Sequence, residues 1–221
     1  MIQMSLTSIL KNVLFVTLLL NIPWEAQCAN IQHGSGGRYA ASNDSDSDAV
    51  VARRIIRDTN WLSIATISTH EGIEGYPFVS LKSFSDGPND NGTGIPYLYM
   101  TDQDISALDL LQNNNVSIMA SLAELSDGCA DYDPQDPRCS KVMITGKYIK
   151  IESSSDEFSF GKEALFAKHP QMEYWPDDHG FYVAKIEIQE ILLLNNYGGL
   201  KTVSVEDYFS PSVTRIVNAE H

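Results

Sequence analysis

Positive charge is scarce in this sequence: 15 Lys and Arg stand against 29 Asp and Glu, a formal net charge of −14 over 221 residues. Nucleic acid is engaged through clustered Lys and Arg, so a chain this acidic is repelled from it at long range and direct nucleic-acid binding is disfavoured. The local sequence frames of common catalytic sites are also missing: there is no Walker loop, no Gly-x-Gly-x-x-Gly, no Cys-x-x-Cys and no Gly-x-Ser-x-Gly elbow. His70, His169 and His179 are scattered rather than set at metal-ligand spacing, which favours surface or packing roles. Asp44, Asp46 and Asp48 alternate as a calcium loop begins, but Ala49 and Ile55 stand where its Gly and Glu belong. The most apolar run, residues 13–22, falls short of the ~20 apolar residues that a bilayer span needs.

What is present points to the secretory pathway. The run VLFVTLLLNI follows Lys11 and precedes Pro23, and the small residues Ala26 and Cys28 lie two apart, so residues 1–28 read as a signal peptide cut before Ala29. Cleavage removes Cys28 and leaves Cys129 and Cys139, a pair that an oxidising lumen joins as a disulfide. The intervening ADYDPQDPR, with its prolines and aspartates, cannot form a regular strand, so the bridge staples a loop and contributes about 2.5–3 kcal/mol in the chain-entropy model. Three Asn-x-Ser/Thr sequons offer glycosylation sites at Asn43, Asn91 and Asn115; the first two lie in turn-like sequence and the third opens a strand.

Hydrophobic residues at 43% and charged residues at 20% give a globular balance. Residues 29–47, rich in Gly, Ser and Asp, read as a flexible linker. A helix is predicted from an N-cap at Asp48, with Val51, Ala52, Ile55, Ile56 and Thr59 on its apolar stripe. Arg53, Arg54 and Arg57 lie off that stripe and are expected on a solvated face paired with nearby acids, with anion binding or partner docking as the alternative. Alternation predicts strands at 62–69, 76–83, 96–101, 116–123, 141–151 and 181–194, the last bending near Gln189 before a turn at 195–199. A second helix is predicted from Asp102 or Gln103 to Gln112 with Ile105, Leu108 and Leu111 inward. A third follows the capping box Ser154-x-x-Glu157. Strands adjoining in sequence with few helical crossovers imply a mainly β, α+β domain over residues 48–210, an antiparallel sheet closed into a barrel with flanking helices. Residues 211–221 are expected as a C-terminal tail.

Several collinear blocks carry a family resemblance: Ala65-Thr66-Ile67-Ser68-Thr69, Gly75-x-Pro77-Phe78, Ser85-Asp86-Gly87-Pro88, Ile95-Pro96-Tyr97-x-Tyr99, Asp133-Pro134-Gln135, Leu165-Phe166-x-x-His169-Pro170-x-Met172-x-x-Trp175-Pro176, Tyr197-Gly198-Gly199 and Glu206-x-Tyr208. Over about residues 49–209 the chain resembles the CREG family of secreted glycoproteins, the cellular repressors of adenoviral-oncoprotein-stimulated genes. The resemblance implies a split β-barrel of the FMN-binding type, similar to pyridoxamine-phosphate oxidases, working as a homodimer. In that superfamily FMN sits at the dimer interface. The resemblance implies that here the cofactor is lost and a loop blocks its pocket, which maps to Asp133, Pro134, Gln135 and Asp136. An acidic plug repels a phosphate, and residues 76–87 offer only Lys82 to bind one.

No catalytic, cofactor-binding or metal residue is assigned. The resemblance further implies secretion or lysosomal delivery, a mannose-6-phosphate-type receptor as partner, and a role in restraining growth and promoting differentiation or in lysosomal homeostasis. The leading expectation is therefore a non-catalytic glycoprotein with no membrane span. The alternatives are an FMN-dependent oxidoreductase acting on a small soluble substrate and a transcriptional corepressor, the latter sitting awkwardly with a signal peptide and a charge of −14.

Overall fold

A computed structural model of the chain describes residues 46–219. The expected signal peptide, Asn43 and nearly all of the linker lie outside the described residues. Seven strands follow in chain order: β1 Trp61–Ile67, β2 Pro77–Ser85, β3 Tyr97–Met100, β4 Asn115–Ser121, β5 Lys141–Lys150, β6 Tyr182–Leu194 and β7 Lys201–Val203. The helices are α1 Asp48–Asp58, α2 Ile105–Gln112, α3 Asp156–Lys168, α4 Val205–Tyr208 and α5 Pro211–Ala219.

Strand alternation sets the barrel. Leu62, Ile64 and Thr66 of β1 and Val116, Ile118 and Ala120 of β4 turn inward and are buried, while their neighbours face outward. All pairings are antiparallel, in the order β3-β2-β1-β4-β5-β6, and β3 pairs with β6 to close six strands into a barrel. With helices packed around it, this is a split-barrel α+β fold. Closure depends on the length of β6, which pairs with β5 along one edge and on the other with β3 through Tyr182–Lys185 and with β7 through Ile191–Leu193. Its register slips once: Thr145 faces Glu190 but Gly146 faces Ile188, so Gln189 is the extra residue of a β-bulge, at the bend expected from the sequence.

Two apolar clusters hold the layers together. The larger joins the barrel interior to α1, where Val51, Ile55 and Ile56 pack with Leu193, Val203 and Tyr208. The smaller lies between α3 and the outside of β3 and β6, around Tyr97, Leu165, Met172 and Val183. Gly161 permits that approach, because a Cβ there would come within 2.8 Å of Val183 Cγ1 and 2.9 Å of Tyr97 Cδ1.

Several local expectations are corrected. The α1 cap is Ser47, whose Oγ accepts from Val50 N, so Asp48 is the first helical residue. The α3 cap is Ser155, not Ser154; its Oγ accepts from Phe158 N and donates to Glu152 O. In α2 Leu108 and Leu111 face solvent, and the inward face is Ser106, Ala107, Asp109 and Leu110. The cause is Asp109, fully buried because it accepts from Thr66 Oγ1, Thr69 N and Thr69 Oγ1 at 2.7–3.0 Å. Of the α1 arginines, Arg54 is partly exposed and pairs with Asp46 at 2.9 Å, as expected, whereas Arg53 and Arg57 are buried. Beyond residue 210 the chain forms α5, which sets Val213 and Val217 against α1.

Candidate functional site

The stapled loop leaves β4 through a short 3-10 turn, Leu122–Glu124, and returns at β5. Cys129 and Cys139 are disulfide-bonded, as expected, and Cys139 is fully buried. Between them the chain is a series of tight turns: Tyr132 N donates to Cys129 O, Asp136 N to Asp133 O and Cys139 N to Asp136 O. Asp133 Oδ1 accepts from Gln135 N at 2.8 Å, and Lys141 Nζ donates to Pro134 O. Arg138 closes the turn with two bonds to the Asp136 carboxylate, from Nε at 2.9 Å and Nη2 at 2.7 Å. Those bonds hold the Asp136 carboxyl down to about 2. The Arg138 guanidinium also stacks on Tyr132, 3.8 Å from its centroid, and reaches Tyr197 at 5.3 Å in the β6–β7 turn. Nothing local in the sequence announces this clamp beyond the Tyr-Gly-Gly turn.

Asp133, Pro134 and Gln135 are exposed on the single chain and Asp136 is half-buried.

Beside the loop, the outward face of the sheet is unusually apolar for a surface facing water. The register aligns Leu81 with Ser63, Met119, Met143 and Leu192 across β2, β1, β4, β5 and β6. The next row runs Val79, Ala65, Ser117, Thr145 and Glu190. Val79 and Leu81 are 62% and 61% exposed, and Trp61, Ile67 and Met119 are exposed too.

The polar candidates separate. Asn91 is exposed on a turn whose Thr93 Oγ1 donates to Asp86 O at 2.7 Å. Asn115 is exposed at the start of β4, and its Oδ1 accepts from Lys147 Nζ. His70 lies in the β1–β2 turn, His169 Nε2 bonds Phe84 O at 2.9 Å, and His179 lies beside Phe181; the fold does not bring them together. Among the described residues no three His, Cys, Asp or Glu side chains are placed to hold a metal.

A flavin phosphate needs convergent cations, and three basic residues of α1 and β2 are bonded to other groups of the chain. Lys82 is paired with Asp104 at 2.6 Å and Arg57 with Asp86 at 3.1 Å. Arg53, fully buried, donates to Tyr208 O, Thr214 Oγ1 and Gly92 O. These side chains do not fit an FMN phosphate.

The closed six-stranded barrel with outer helices defines a split-barrel α+β protein, here with an exposed sheet face and a cross-linked loop. A profile described as CREG, beta-barrel matches residues 43–210, and the chain belongs to the CREG family. It is 42% identical over 166 residues to Protein CREG1 of Gallus gallus, covering 73% of this chain and 85% of that one. Protein CREG1 of Homo sapiens is 36% identical over 167 residues, with 75% and 74% covered, and Protein CREG2 of Homo sapiens 39% over 163 residues, with 73% and 55% covered. Among solved structures, a heme binding protein from Mycobacterium smegmatis superposes with a TM-score of 0.59 at 23% identity, covering 74% of this chain and 60% of that one. The protein Atu2129 of Agrobacterium tumefaciens reaches 0.56 at 12% identity, with 79% and 66% covered. At these identities the structures share the fold alone.

Proposed function

We propose that this chain is a non-catalytic glycoprotein of the CREG type, secreted or delivered to lysosomes, that acts as a homodimer through the outward sheet face. In this reading each stapled loop, Asp133 to Asp136, is inserted into the cleft that its partner completes, where flavin sits in cofactor-bearing relatives of the fold. Glycans at Asn43, Asn91 and Asn115 are the handles for a mannose-6-phosphate-type receptor, and effects on growth, differentiation or lysosomal homeostasis follow from uptake or receptor contact. The observation that carries the reading is the apolar row from Leu81 to Leu192 beside a loop held outward by its disulfide and by the Arg138 clamp. A free sheet face of that composition is a contact surface, and a pre-ordered loop loses little entropy when it is buried in one.

The test is the protein purified from the medium of eukaryotic cells. It should be a colourless dimer by sedimentation, lose apparent mass with a glycosidase, and become monomeric on replacing Val79 and Leu81 together by Glu. A wild-type monomer would overturn the dimer. Stoichiometric visible absorbance retained through gel filtration would overturn the blocked pocket and favour a cofactor-bearing oxidoreductase.

A further inference from the structure

The connection from α3 to β6 gathers aromatic rings on the outside of β3. Two 3-10 turns, Pro170–Tyr174 and Asp177–His179, carry the chain past Trp175, and Phe181 immediately precedes β6. Tyr99 of β3 is the hub: between centroids it stacks on Phe181 at 4.9 Å and on Trp175 at 5.9 Å, and it meets Phe166 edge-on at 5.5 Å. Trp175 and Phe181 are themselves 5.0 Å apart. The cluster leaves its outermost rings in water. Trp175 is 39% exposed and Tyr174 82%, more than any other large hydrophobic side chain among the described residues. Exposed rings held on a rigid base are contact groups that lose little freedom on binding.

The charge carried by these turns is negative. Residues 170–181 contain no Lys or Arg. Glu173, Asp177 and Asp178 are exposed, and among the described residues none of them is ion-paired. The Thr101 hydroxyl donates to His179 O, which brings the turn that carries the exposed Asp102 alongside. Burial first, then the Asp177 charge, raises the Tyr99 hydroxyl above its ordinary value, so that carboxylate is felt at the hub of the cluster. The face of an aromatic ring is itself negative. Rings and carboxylates therefore attract one kind of ligand, a cation. The chain supplies an instance of it: Lys162 Nζ of α3 lies 5.2 Å over the Phe166 ring. Among the described residues no Lys or Arg lies over Trp175 or Tyr174.

We propose that this patch docks an arginine-bearing segment of a partner protein, with Trp175 and Tyr174 offering ring faces to the guanidinium and Glu173, Asp177 and Asp178 receiving its N–H groups. Arginine suits the patch better than lysine, because a planar guanidinium stacks on a ring while its edge still donates. The same carboxylates repel anionic lipid and other polyanions. None of these residues belongs to the row from Leu81 to Leu192, so the inference stands independently of the dimer and receptor reading.

The probe is a fluorescein-labelled Gly-Arg repeat peptide titrated into the full secreted chain and read by fluorescence anisotropy, beside a peptide with neutral citrulline at every arginine. The citrulline peptide should bind at least ~10-fold more weakly. Trp175→Ala and Tyr174→Ala should each weaken the arginine peptide by ~3- to 10-fold. Tyr174 is exposed enough that its truncation leaves the fold intact, so its result stands even where Trp175→Ala unfolds the chain. Asp177→Asn with Asp178→Asn should weaken binding by ~4-fold. Glu71→Gln with Glu74→Gln removes the same charge from the exposed β1–β2 turn, at the end of β2 away from β3, and should change it by less than ~2-fold. Equal weakening by the two double variants would show diffuse attraction to an acidic chain and overturn the site. Equal affinity for the citrulline peptide would overturn the cation. Dissociation of a dimer by Tyr174→Ala would reassign the patch to a second copy, and capture of the chain by phosphatidylcholine vesicles, abolished by Tyr174→Ala, would reassign it to a membrane; either overturns the proposal.

Discussion

Arg57 Nη1 donates to Asp86 Oδ1 at 3.1 Å, with Asp86 fully buried and Arg57 8% exposed. The pair joins α1 to the β2–β3 connection that carries Asn91, and Asp86 Oδ2 takes Gly94 N at 3.0 Å as well. Removing one partner of such a pair strands the other charge in a low-dielectric interior. Asp86→Ala should therefore cost about 3–5 kcal/mol in a denaturant titration, the range for breaking a buried pair. A loss below ~1 kcal/mol would mean that water reaches Arg57.

Gly94 supports the same connection by having no side chain. Its φ of +81° lies in the left-handed region, and a Cβ would stand 2.5 Å from Arg53 Nε and 2.7 Å from its Cδ. Arg53 cannot yield easily, since its guanidinium is fixed by bonds to Tyr208 O and Gly92 O. Gly94→Ala should destabilise by at least ~2 kcal/mol, combining the backbone penalty with overpacking, and thermal melting will show it.

The disulfide constrains the loop and, through Arg138, the β6–β7 turn. Replacing Cys129 and Cys139 together by Ser should lower stability by about 2.5–3 kcal/mol. It should also speed amide exchange from Tyr132 to Arg138 and loosen the contact of Arg138 with Tyr197. Unchanged exchange in that segment would show that the hydrogen-bonded turns alone hold it.

His169 gives the fold a dependence on acid. Burial lowers its pKa below the ordinary 6.5, with Lys168 pushing the same way and the Phe84 carbonyl opposing. Because the fold prefers the neutral ring, its contribution is complete above the unfolded value of 6.5 and is lost as pH falls from there through the lower folded value. Melting temperatures measured from pH 7 to 5 should fall more steeply for the wild type than for His169→Gln. Parallel slopes would remove His169 as the cause.

The strands were legible because alternation is written residue by residue: Leu62, Ile64, Val116 and Ile118 announce their faces locally, and even the bend at Gln189 shows. The cross-linked loop was legible from two cysteines flanking prolines. The burial of Asp109, Arg53 and Arg57 was not. Each polar side chain is made tolerable inside by groups far away in the chain, Thr66 and Thr69 for Asp109, Gly92 and Tyr208 for Arg53, Asp86 for Arg57. Helical periodicity treats every such residue as outward. It therefore turned α2 about its axis and placed two arginines in solvent. The contact of Lys168 with the end of α1 is hidden for the same reason, since the Arg57 and Thr59 carbonyls that it reaches lie 111 and 109 residues away in sequence.

By itself the sequence determined the antiparallel strands, the acidic character that repels polyanions, the cross-linked loop and, through its collinear motifs, the CREG family. Those properties depend on local spacing and on net charge, which add along a chain. Closure of β3 on β6, the row of Leu81, Met119, Met143 and Leu192 across the sheet and the buried charges of α1 were decided by tertiary structure. They depend on which distant groups meet, and a desolvated polar atom is stabilised or penalised only by the partner it finally reaches.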